Sequence, residues 1–177
     1  MASPCWPLSR SSVLWVGNLI LLSVGTQLPF DRLVRAVDEW ADVSARTDVV
    51  AQIGPSTYSP RVLNAFPFLG PDAFRELQSA ATIMISHAGM GSILTAMEYG
   101  KPIIIMPRDH ARGEHRNGHQ MATAARFKDV PGVYVAFDER DLAEHLKHLS
   151  DLTGSTGMSP HAPASFTGRL RQFIESR

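Results

Sequence analysis

Short apolar runs alternate along the chain with segments in which apolar residues recur every three or four positions. The first run, residues 19–24, ends at Gly25 and is typical of a strand buried in a parallel sheet. After Pro29, apolar residues at helical spacing with charged residues between them predict an amphipathic helix. Further apolar runs predict strands at residues 48–53, 65–69, 82–86, 102–106 and 133–136.

Helical patterns follow most of these strands. Predicted helices span residues 71–80, 92–99, 117–127, 138–148 and 165–177. Pro71 opens one of them, Gly100 stands just past the end of another, and Asp138 is the expected N-cap of a third. Strands that alternate with helices predict an α/β fold with a doubly wound, Rossmann-like parallel sheet.

The length of 177 residues suits one well-buried domain better than two. We expect an irregular leader at residues 1–17, a single domain at 18–150, and a linker with a C-terminal helix at 151–177. The apolar stretch at residues 13–24 is similar to a signal-peptide core. It is too short and interrupted to span a bilayer, so a buried first strand is the favoured interpretation.

Composition narrows the class of protein. A hydrophobic content of 44%, a formal net charge of +0 and a pI of about 7.1 are ordinary for a soluble globular protein. With no basic excess, a nucleic-acid partner is not expected. The only cysteine, Cys5, excludes a disulfide framework and favours a reducing cytoplasm.

Two glycine-containing turns follow predicted strands, at the edge where doubly wound sheets bind ligands. One is Gly25-Thr26, and the other is His-Ala-Gly-Met-Gly-Ser at residues 87–92. Gly89 and Gly91 would leave backbone N–H groups open to an anion at a helix N-terminus. Ser92 can add a hydroxyl and the preceding histidine a ring N–H, so a diphosphate is the expected ligand. A simple Gly-rich turn without a ligand is the alternative.

Further motifs follow this turn in a definite order. They are Gly-Lys-Pro at 100–102, Met-Pro-Arg at 106–108 and Gly-Glu-His-Arg-Asn-Gly-His-Gln at 113–120. Together with residues 86–92 they resemble the C-terminal, donor-binding domain of the GT-B glycosyltransferases of the family 28 type. The resemblance is greatest to the split enzymes, among them bacterial exopolysaccharide glycosyltransferase subunits and the dolichol-linked N-acetylglucosaminyltransferase catalytic subunit. Residues 23–26 and 29–33 also resemble that group, and the resemblance covers roughly residues 19–148.

The resemblance implies an activity and a setting. It implies a hexosyltransferase that transfers sugar with inversion from a UDP-sugar to a lipid-linked acceptor, in polysaccharide or glycolipid synthesis. It implies no metal and no cofactor apart from the donor substrate. It also implies a membrane-anchored partner subunit that binds the acceptor and keeps this cytoplasmic chain at the inner face of the membrane. The alternative is a nucleotide-binding module without independent activity.

The resemblance also assigns residues. Gly25 and Thr26 would face the phosphates, His87 would be catalytic, and Gln120 would reach sugar hydroxyls. The full donor-binding set is Gly25, Thr26, His87, Gly89, Met90, Gly91, Ser92, Thr95, His119 and Gln120.

One position departs from the family pattern. Family members commonly have a glutamate that grips the ribose where this chain has Thr95, and Glu98 follows one turn later. Either Thr95 makes a weaker contact or the ribose is held otherwise. We favour an exposed, solvated Glu98 over a shifted ribose ligand.

Two other chemistries are weighed against this one. His110, His115 and His119 with nearby carboxylates could suggest a metal site, but interspersed arginines would repel a cation. We therefore expect a mobile donor-side loop at 108–120, with arginine and histidine side chains near phosphate or sugar. A serine hydrolase would need a Gly-x-Ser-x-Gly elbow, and the sequence after Gly91-Ser92 lacks the closing glycine.

Overall fold

The computed structural model describes residues 18–157, 162 and 164–176, so the predicted leader at 1–17 lies outside the described residues. The strands are β1 (Ile20–Ser23), β2 (Val49–Gln52), β3 (Asn64–Phe66), β4 (Ile83–His87), β5 (Ile103–Met106) and β6 (Val133–Val135). The helices are α1 (Asp31–Val43), α2 (Pro71–Ala80), α3 (Met90–Glu98), α4 (His119–Phe127), α5 (Glu139–Lys147) and α6 (Ala164–Glu175). A single 3-10 turn, His110–Arg112, precedes α4 and another, Leu149–Asp151, follows α5.

Within the described residues the strands form one parallel sheet in the order β3-β2-β1-β4-β5-β6. The chain winds outward from β1 to β3 and then returns to place β4 on the other side of β1. Ligands of such sheets bind in the crevice at this reversal, beyond the carboxyl ends of the strands. The predicted doubly wound, Rossmann-like fold is confirmed.

Both faces of the sheet are covered, which explains why its strands are continuous apolar runs rather than alternating ones. Ile20, Leu22 and the other side chains of that face pack under α1 and α5. Leu19, Leu21 and their neighbours on the opposite face pack under α2, α3 and α4. The four residues of β5 are entirely buried, so the strands beside the reversal form the rigid floor of the site.

Some predicted boundaries are wrong by a few residues. Helix α3 begins at Met90 rather than residue 92, with Gly89 as its N-cap. Gly91 therefore lies in the first turn, where the backbone N–H groups have no partner within the helix. Helix α4 begins at His119 rather than residue 117, after the N-cap Gly118. The strand predicted at 65–69 is Asn64–Phe66, because Pro67 cannot extend the ladder as a donor. The caps expected at Gly100 and Asp138 are confirmed, the first with a φ of 64° and the second by bonds from two helical N–H groups.

The segment after α5 lies against the domain. Leu152 packs on the core, and the Tyr134 hydroxyl and the backbone of Thr153 exchange hydrogen bonds of 2.9 and 3.1 Å. The backbone at Gly154 lies so close to Gly100 that a Cβ at residue 154 would overlap its carbonyl. Helix α6 contrasts with this segment, because its described side chains are exposed throughout. The boundary at residue 150 stays a prediction.

Candidate functional site

A cleft of about 330 Å³ opens at the carboxyl edge of the sheet, where β1 and β4 meet. The β1–α1 turn forms one wall, the end of β4 forms the base, and the segment between β5 and α4 forms the other wall. The lining residues are Val24, Gly25, Thr26, Gln27, Leu28, His87, Arg108, His115 and Gln120. The structure therefore brings together Gly25, Thr26, His87 and Gln120 of the predicted donor-binding set.

A larger groove of about 710 Å³ lies at the opposite edge, beside Asn18 and Ile83, where the strands begin. Its walls include Val43 and Leu146 from the last turns of α1 and α5. Helix C-termini have partial negative charge, which disfavours an anionic ligand. The carboxyl-edge cleft is therefore the better candidate for phosphate binding.

The imidazole of His87 lies between two glycines. A Cβ at Gly25 would come within 3.2 Å of the ring, and a Cβ at Gly89 would overlap its Nε2 atom. Gly25 also has a φ of 79°, which disfavours any residue with a side chain. By contrast, no atom lies within 4 Å of a Cβ placed at Gly91. The first two glycines make room for the histidine ring, while Gly91 leaves open space at the start of α3.

The N-terminus of α3 presents backbone N–H groups without an internal cap. Gly89 is the N-cap, no side chain bonds to the first turn, and the first helical bond joins the Ile93 N–H to the Gly89 carbonyl. The N–H groups of Met90, Gly91 and Ser92 are thus left for a ligand or water. The Gly89 N–H itself donates to the His87 carbonyl at 2.7 Å. An anion at this turn would meet the helix dipole and these three N–H groups.

Ser92 is joined to the strands by a chain of hydroxyl groups. Its Oγ lies 2.9 Å from the Oγ of Ser86, whose hydroxyl is also 2.8 Å from the Ser23 carbonyl. Since Ser86 has one proton to donate and the carbonyl can only accept, Ser92 donates to Ser86. The Ser92 hydroxyl is therefore turned toward β4, and its oxygen retains only acceptor capacity toward a ligand.

The charge state of His87 follows from its surroundings. Burial first, and then the positive charge of Arg108 and the nearby His115, lower the pKa of His87 from 6.5 to about 4. The imidazole is therefore neutral near pH 7. Its one ring N–H has the Ser23 carbonyl as an acceptor, its other ring nitrogen can only accept, and the ring cannot supply a positive charge.

Arg108 is almost completely enclosed, with 2% of its surface exposed. Its guanidinium donates to the carbonyls of Val24 and Leu28, each at 2.7 Å, and to the carbonyl of Pro29. Its backbone N–H donates to Oε1 of Gln120 at 3.0 Å. Burial lowers the pKa of Arg108 to about 10, so it remains charged at neutral pH. Its guanidinium is directed at backbone carbonyls although the residue lines the cleft, and the expected nearness of arginines of the 108–120 loop to phosphate or sugar stays a prediction.

A second arginine links the same two walls of the cleft, from α1 to the segment between β5 and α4. Arg32, at the start of α1, forms a bidentate ion pair with Glu114, with both N–O distances at 2.7 Å, and donates to the Pro107 carbonyl at 3.2 Å. Arg32 and Arg108 both contact the buried Phe30 ring, with guanidinium carbons 5.3 and 4.8 Å from its centroid. We call Phe30, Arg32, Arg108 and Glu114 the arginine clasp. It joins the β1–α1 turn and the first turn of α1 to residues 108 and 114 of the segment between β5 and α4, and the expected mobility of that segment stays a prediction.

The remaining predicted residues lie around the cleft rather than in its lining. Met90 and His119 are exposed in the first turns of α3 and α4, and His119 has its backbone N–H 3.2 Å from the Asn117 side chain. Thr95 is half-buried on the second turn of α3, and Glu98 is exposed one turn later. The amide oxygen of Gln120 is occupied by Arg108, which leaves its amide nitrogen as the group available to a sugar.

Two further properties concern metals and membranes. Across residues 18–157, 162 and 164–176, no group of three or more His, Cys, Asp or Glu side chains is placed to bind a metal ion. In the same part of the chain, no helix has the length and apolar character needed to cross a bilayer.

Comparison with known proteins decides the family. Residues 19–162 match the glycosyltransferase family 28 C-terminal domain, which is most of the chain. The chain belongs to this family. Its Rossmann-like sheet is accordingly the GT-B type of glycosyltransferase domain, as the motif order predicted.

Curated relatives contain a similar segment. The UDP-N-acetylglucosamine transferase subunit ALG13 of Homo sapiens is 26% identical over 132 residues, which are 64% of this chain and 12% of that protein. The Mus musculus protein of the same name is 28% identical over 97 residues, 47% of this chain and 8% of its own length. The family 28 domain thus matches a small part of each relative.

Solved structures share the fold. An NMR solution structure of ALG13 has a TM-score of 0.56 at 19% identity, covering 86% of this chain and 94% of its own. A kitacinnamycin glycosyltransferase structure has a TM-score of 0.55 at 18% identity, covering 76% and 35%. A UDP-GlcNAc 2-epimerase from Neisseria meningitidis, bound to UDP-GlcNAc, has a TM-score of 0.54 at 13% identity, covering 90% and 45%. At these identities the family 28 domain and its neighbours have the fold in common.

Sequence reasoning missed the arginine clasp of this family 28 domain. Arg32 was expected on the solvent-exposed face of the helix after Pro29, and Arg108 in the loop at 108–120. A signal was present, because Pro107-Arg108 follows directly after a fully apolar strand, where a charged side chain must either be solvated or find buried acceptors. The acceptors belong to a turn some 80 residues earlier, which no local pattern identifies.

Proposed function

We propose that this chain is the donor-binding, catalytic subunit of a UDP-sugar-dependent hexosyltransferase. The observation behind the proposal is the uncapped N-terminus of α3, which comes directly after His87, a lining residue of the switch-point cleft in this family 28 domain. A diphosphate fits this position because its charge would be met by the N–H groups of residues 90–92 and by the helix dipole. The printed name of the mammalian relatives, a UDP-N-acetylglucosamine transferase subunit, supports UDP-linked donors as the substrate class.

The proposed chemistry is electrostatic. Negative charge develops on the diphosphate as the bond to the sugar breaks, and N–H donors already in place stabilise that charge without reorganising. The neutral His87 would contact a sugar hydroxyl through the ring nitrogen that does not face the Ser23 carbonyl. The amide nitrogen of Gln120 and the side chain of His119 would contact sugar hydroxyls, Thr95 would lie toward the ribose, and no metal is required.

The rest of the reaction belongs to a partner in this proposal. A membrane-anchored subunit would supply the lipid-linked acceptor and the base that activates it, with inversion at the sugar. The chain would then act in the cytoplasm, at the inner face of the membrane, in polysaccharide or glycolipid synthesis. If the isolated chain binds UDP but transfers no sugar even with a membrane fraction, the alternative of a binding module without activity is preferred.

The site is tested by placing a carboxylate in the open space at Gly91. Gly91→Asp meets no neighbouring atom, and an acidic residue in the first turn suits the helix dipole, so the variant should fold. It should weaken UDP binding at least tenfold, about 1.4 kcal/mol, by repelling the diphosphate, as measured by isothermal titration calorimetry.

Gly70→Asp is the matched control. Gly70 is the N-cap of α2, and it too has open space around a Cβ, but it follows β3, which is three strands from β4 in the sheet. Its UDP affinity should equal that of the wild type. Wild-type affinity in Gly91→Asp would exclude α3 as the phosphate site.

A further inference from the structure

The β1–α1 turn, residues 24–29, is a partly exposed segment between β1 and α1. Thr26 and Gln27 are exposed, and Gly25 has a left-handed φ of 79°. Among the described residues, Arg108 is the only side chain that hydrogen-bonds to the main chain of residues 24–29, and it reaches carbonyls at both ends of the turn. Without those bonds the conformation of residues 25–27 would rest on few local interactions.

We propose that Arg108 is a positioning residue that holds the β1–α1 turn in the shape presented to the donor diphosphate. The proposal rests on the proposed function and adds a residue whose guanidinium acts through the turn. Its backbone N–H holds the side chain of Gln120 as well, so the same residue orders both walls of the cleft.

A guanidinium suits this role because of its geometry. Its planar fork donates in several fixed directions at once, whereas an ammonium group is a compact point charge on a flexible stem. The bonds to Val24 and Leu28 both come from one terminal nitrogen, and that to Pro29 comes from the other. The Phe30 ring lies against the guanidinium and fixes its plane.

The position is also costly, which argues for a specific need. Within the described part of the chain no carboxylate lies within 4 Å of this buried guanidinium, although Glu114 contributes through its carbonyl at 3.5 Å. Burial of a charge without a direct counter-ion is unfavourable, and a methionine would fill a similar volume at less cost. The carbonyl bonds, and a positive charge behind a diphosphate site, are what methionine would lose.

Two substitutions of Arg108 separate the hydrogen-bond geometry of its guanidinium from its positive charge. In Arg108→Lys the charge remains and the fork is lost, whereas Arg108→Met loses both. Arg112→Lys is the matched control, since Arg112 lies in the same segment but is exposed. Thermal melts and circular dichroism establish that each variant is folded. UDP affinity is then measured by calorimetry, and the backbone order of residues 25–27 and the pKa of His87 by NMR without ligand.

We expect Arg108→Lys to raise the UDP dissociation constant about tenfold, because the loosened turn would have to become ordered on binding. Residues 25–27 should show lower order parameters in this variant, while the pKa of His87 stays at about 4 because the charge is kept. Arg108→Met should raise that pKa and weaken UDP further. Arg112→Lys should match the wild type in all three measurements.

Two results would overturn the inference. One is a folded Arg108→Lys with wild-type UDP affinity, and the other is a turn as ordered in that variant as in the wild type. If the wild type binds no UDP yet the turn loosens in Arg108→Lys, the proposed function fails while Arg108 still positions the turn. Should neither Arg108 variant fold, Phe30→Leu removes the supporting ring, and unchanged turn order there overturns the inference instead.

Discussion

At the scale of single residues, the two glycines of the 87–92 turn look alike in sequence and have different tasks. Both were expected to open backbone N–H groups to an anion. Gly89 instead makes space for the His87 ring, and only Gly91 faces open space. A glycine pattern indicates that side chains are excluded, but the excluded volume can belong to the protein or to a ligand. Only the three-dimensional position of the histidine distinguishes the two.

The lowered pKa of His87 leads to a test at this scale. Its pKa falls from 6.5 in the unfolded chain to about 4 in the folded protein, so the unfolded state binds a proton at higher pH. The neutral ring contributes its full stability above 6.5, and this contribution is lost as the pH falls from 6.5 through about 4. The free energy of unfolding in urea should therefore decrease between about pH 7 and about pH 4.5, and His87→Gln should reduce that decrease.

His148→Gln provides the comparison, because His148 lies exposed at the end of α5. It should leave most of the pH dependence in place. An unchanged pH dependence in His87→Gln would mean that the ring is protonated as easily in the folded state as in the unfolded one.

At the scale of elements, the strands and helices followed from periodicity, and the errors fell where glycine or loops set a boundary. The fully apolar run of β5 and the amphipathic pattern of α1 were sufficient to identify both elements. The segment from Arg108 to Gln120 was expected to be mobile because it is polar. That mobility stays a prediction, but the arginine clasp connects residues 108 and 114 to α1 and the β1–α1 turn, which lie far away in sequence.

Gly154 tests whether the segment after α5 belongs to the domain. A Cβ there would overlap the Gly100 carbonyl, so the backbone of one element would have to shift. We expect Gly154→Ala to lower the free energy of unfolding by about 1–3 kcal/mol, the usual cost of overpacking, in urea denaturation. Gly70→Ala, in open space, should change stability far less. Equal stability of the two variants would place residues 152–155 outside the cooperative unit.

At the scale of the whole molecule, the site exists because the chain adds strands on one side of β1 as far as β3 and then places β4 on the other side of β1. Gly25 and His87 are some 60 residues apart in sequence, yet they lie in contact distance because their strands pair in parallel. The switch-point topology favours this edge of the sheet as the ligand site. Because ligand binding at this edge involves both halves of the sheet, it should stabilise the molecule as a unit.

Thermal unfolding provides the test at this scale. At a free UDP concentration of about 100 times the dissociation constant, linkage predicts about 2.7 kcal/mol of added stability. For a chain of this size that corresponds to a Tm increase of roughly 5–10 °C, measured by calorimetry. Gly91→Asp at the same UDP concentration should show little increase. A wild-type Tm that UDP does not move would contradict the proposed donor site.

The sequence by itself determined the fold class and the location of the glycine-rich turn that we propose binds phosphate. Buried parallel strands must be continuous apolar runs, and a glycine-rich turn before a helix exposes N–H groups wherever it occurs. Tertiary structure alone decided what surrounds that turn. It placed His87 between Gly25 and Gly89 and buried Arg108 against carbonyls of a distant turn. Periodicity reports only neighbours in sequence, whereas burial, pKa and hydrogen-bond partners depend on neighbours in space.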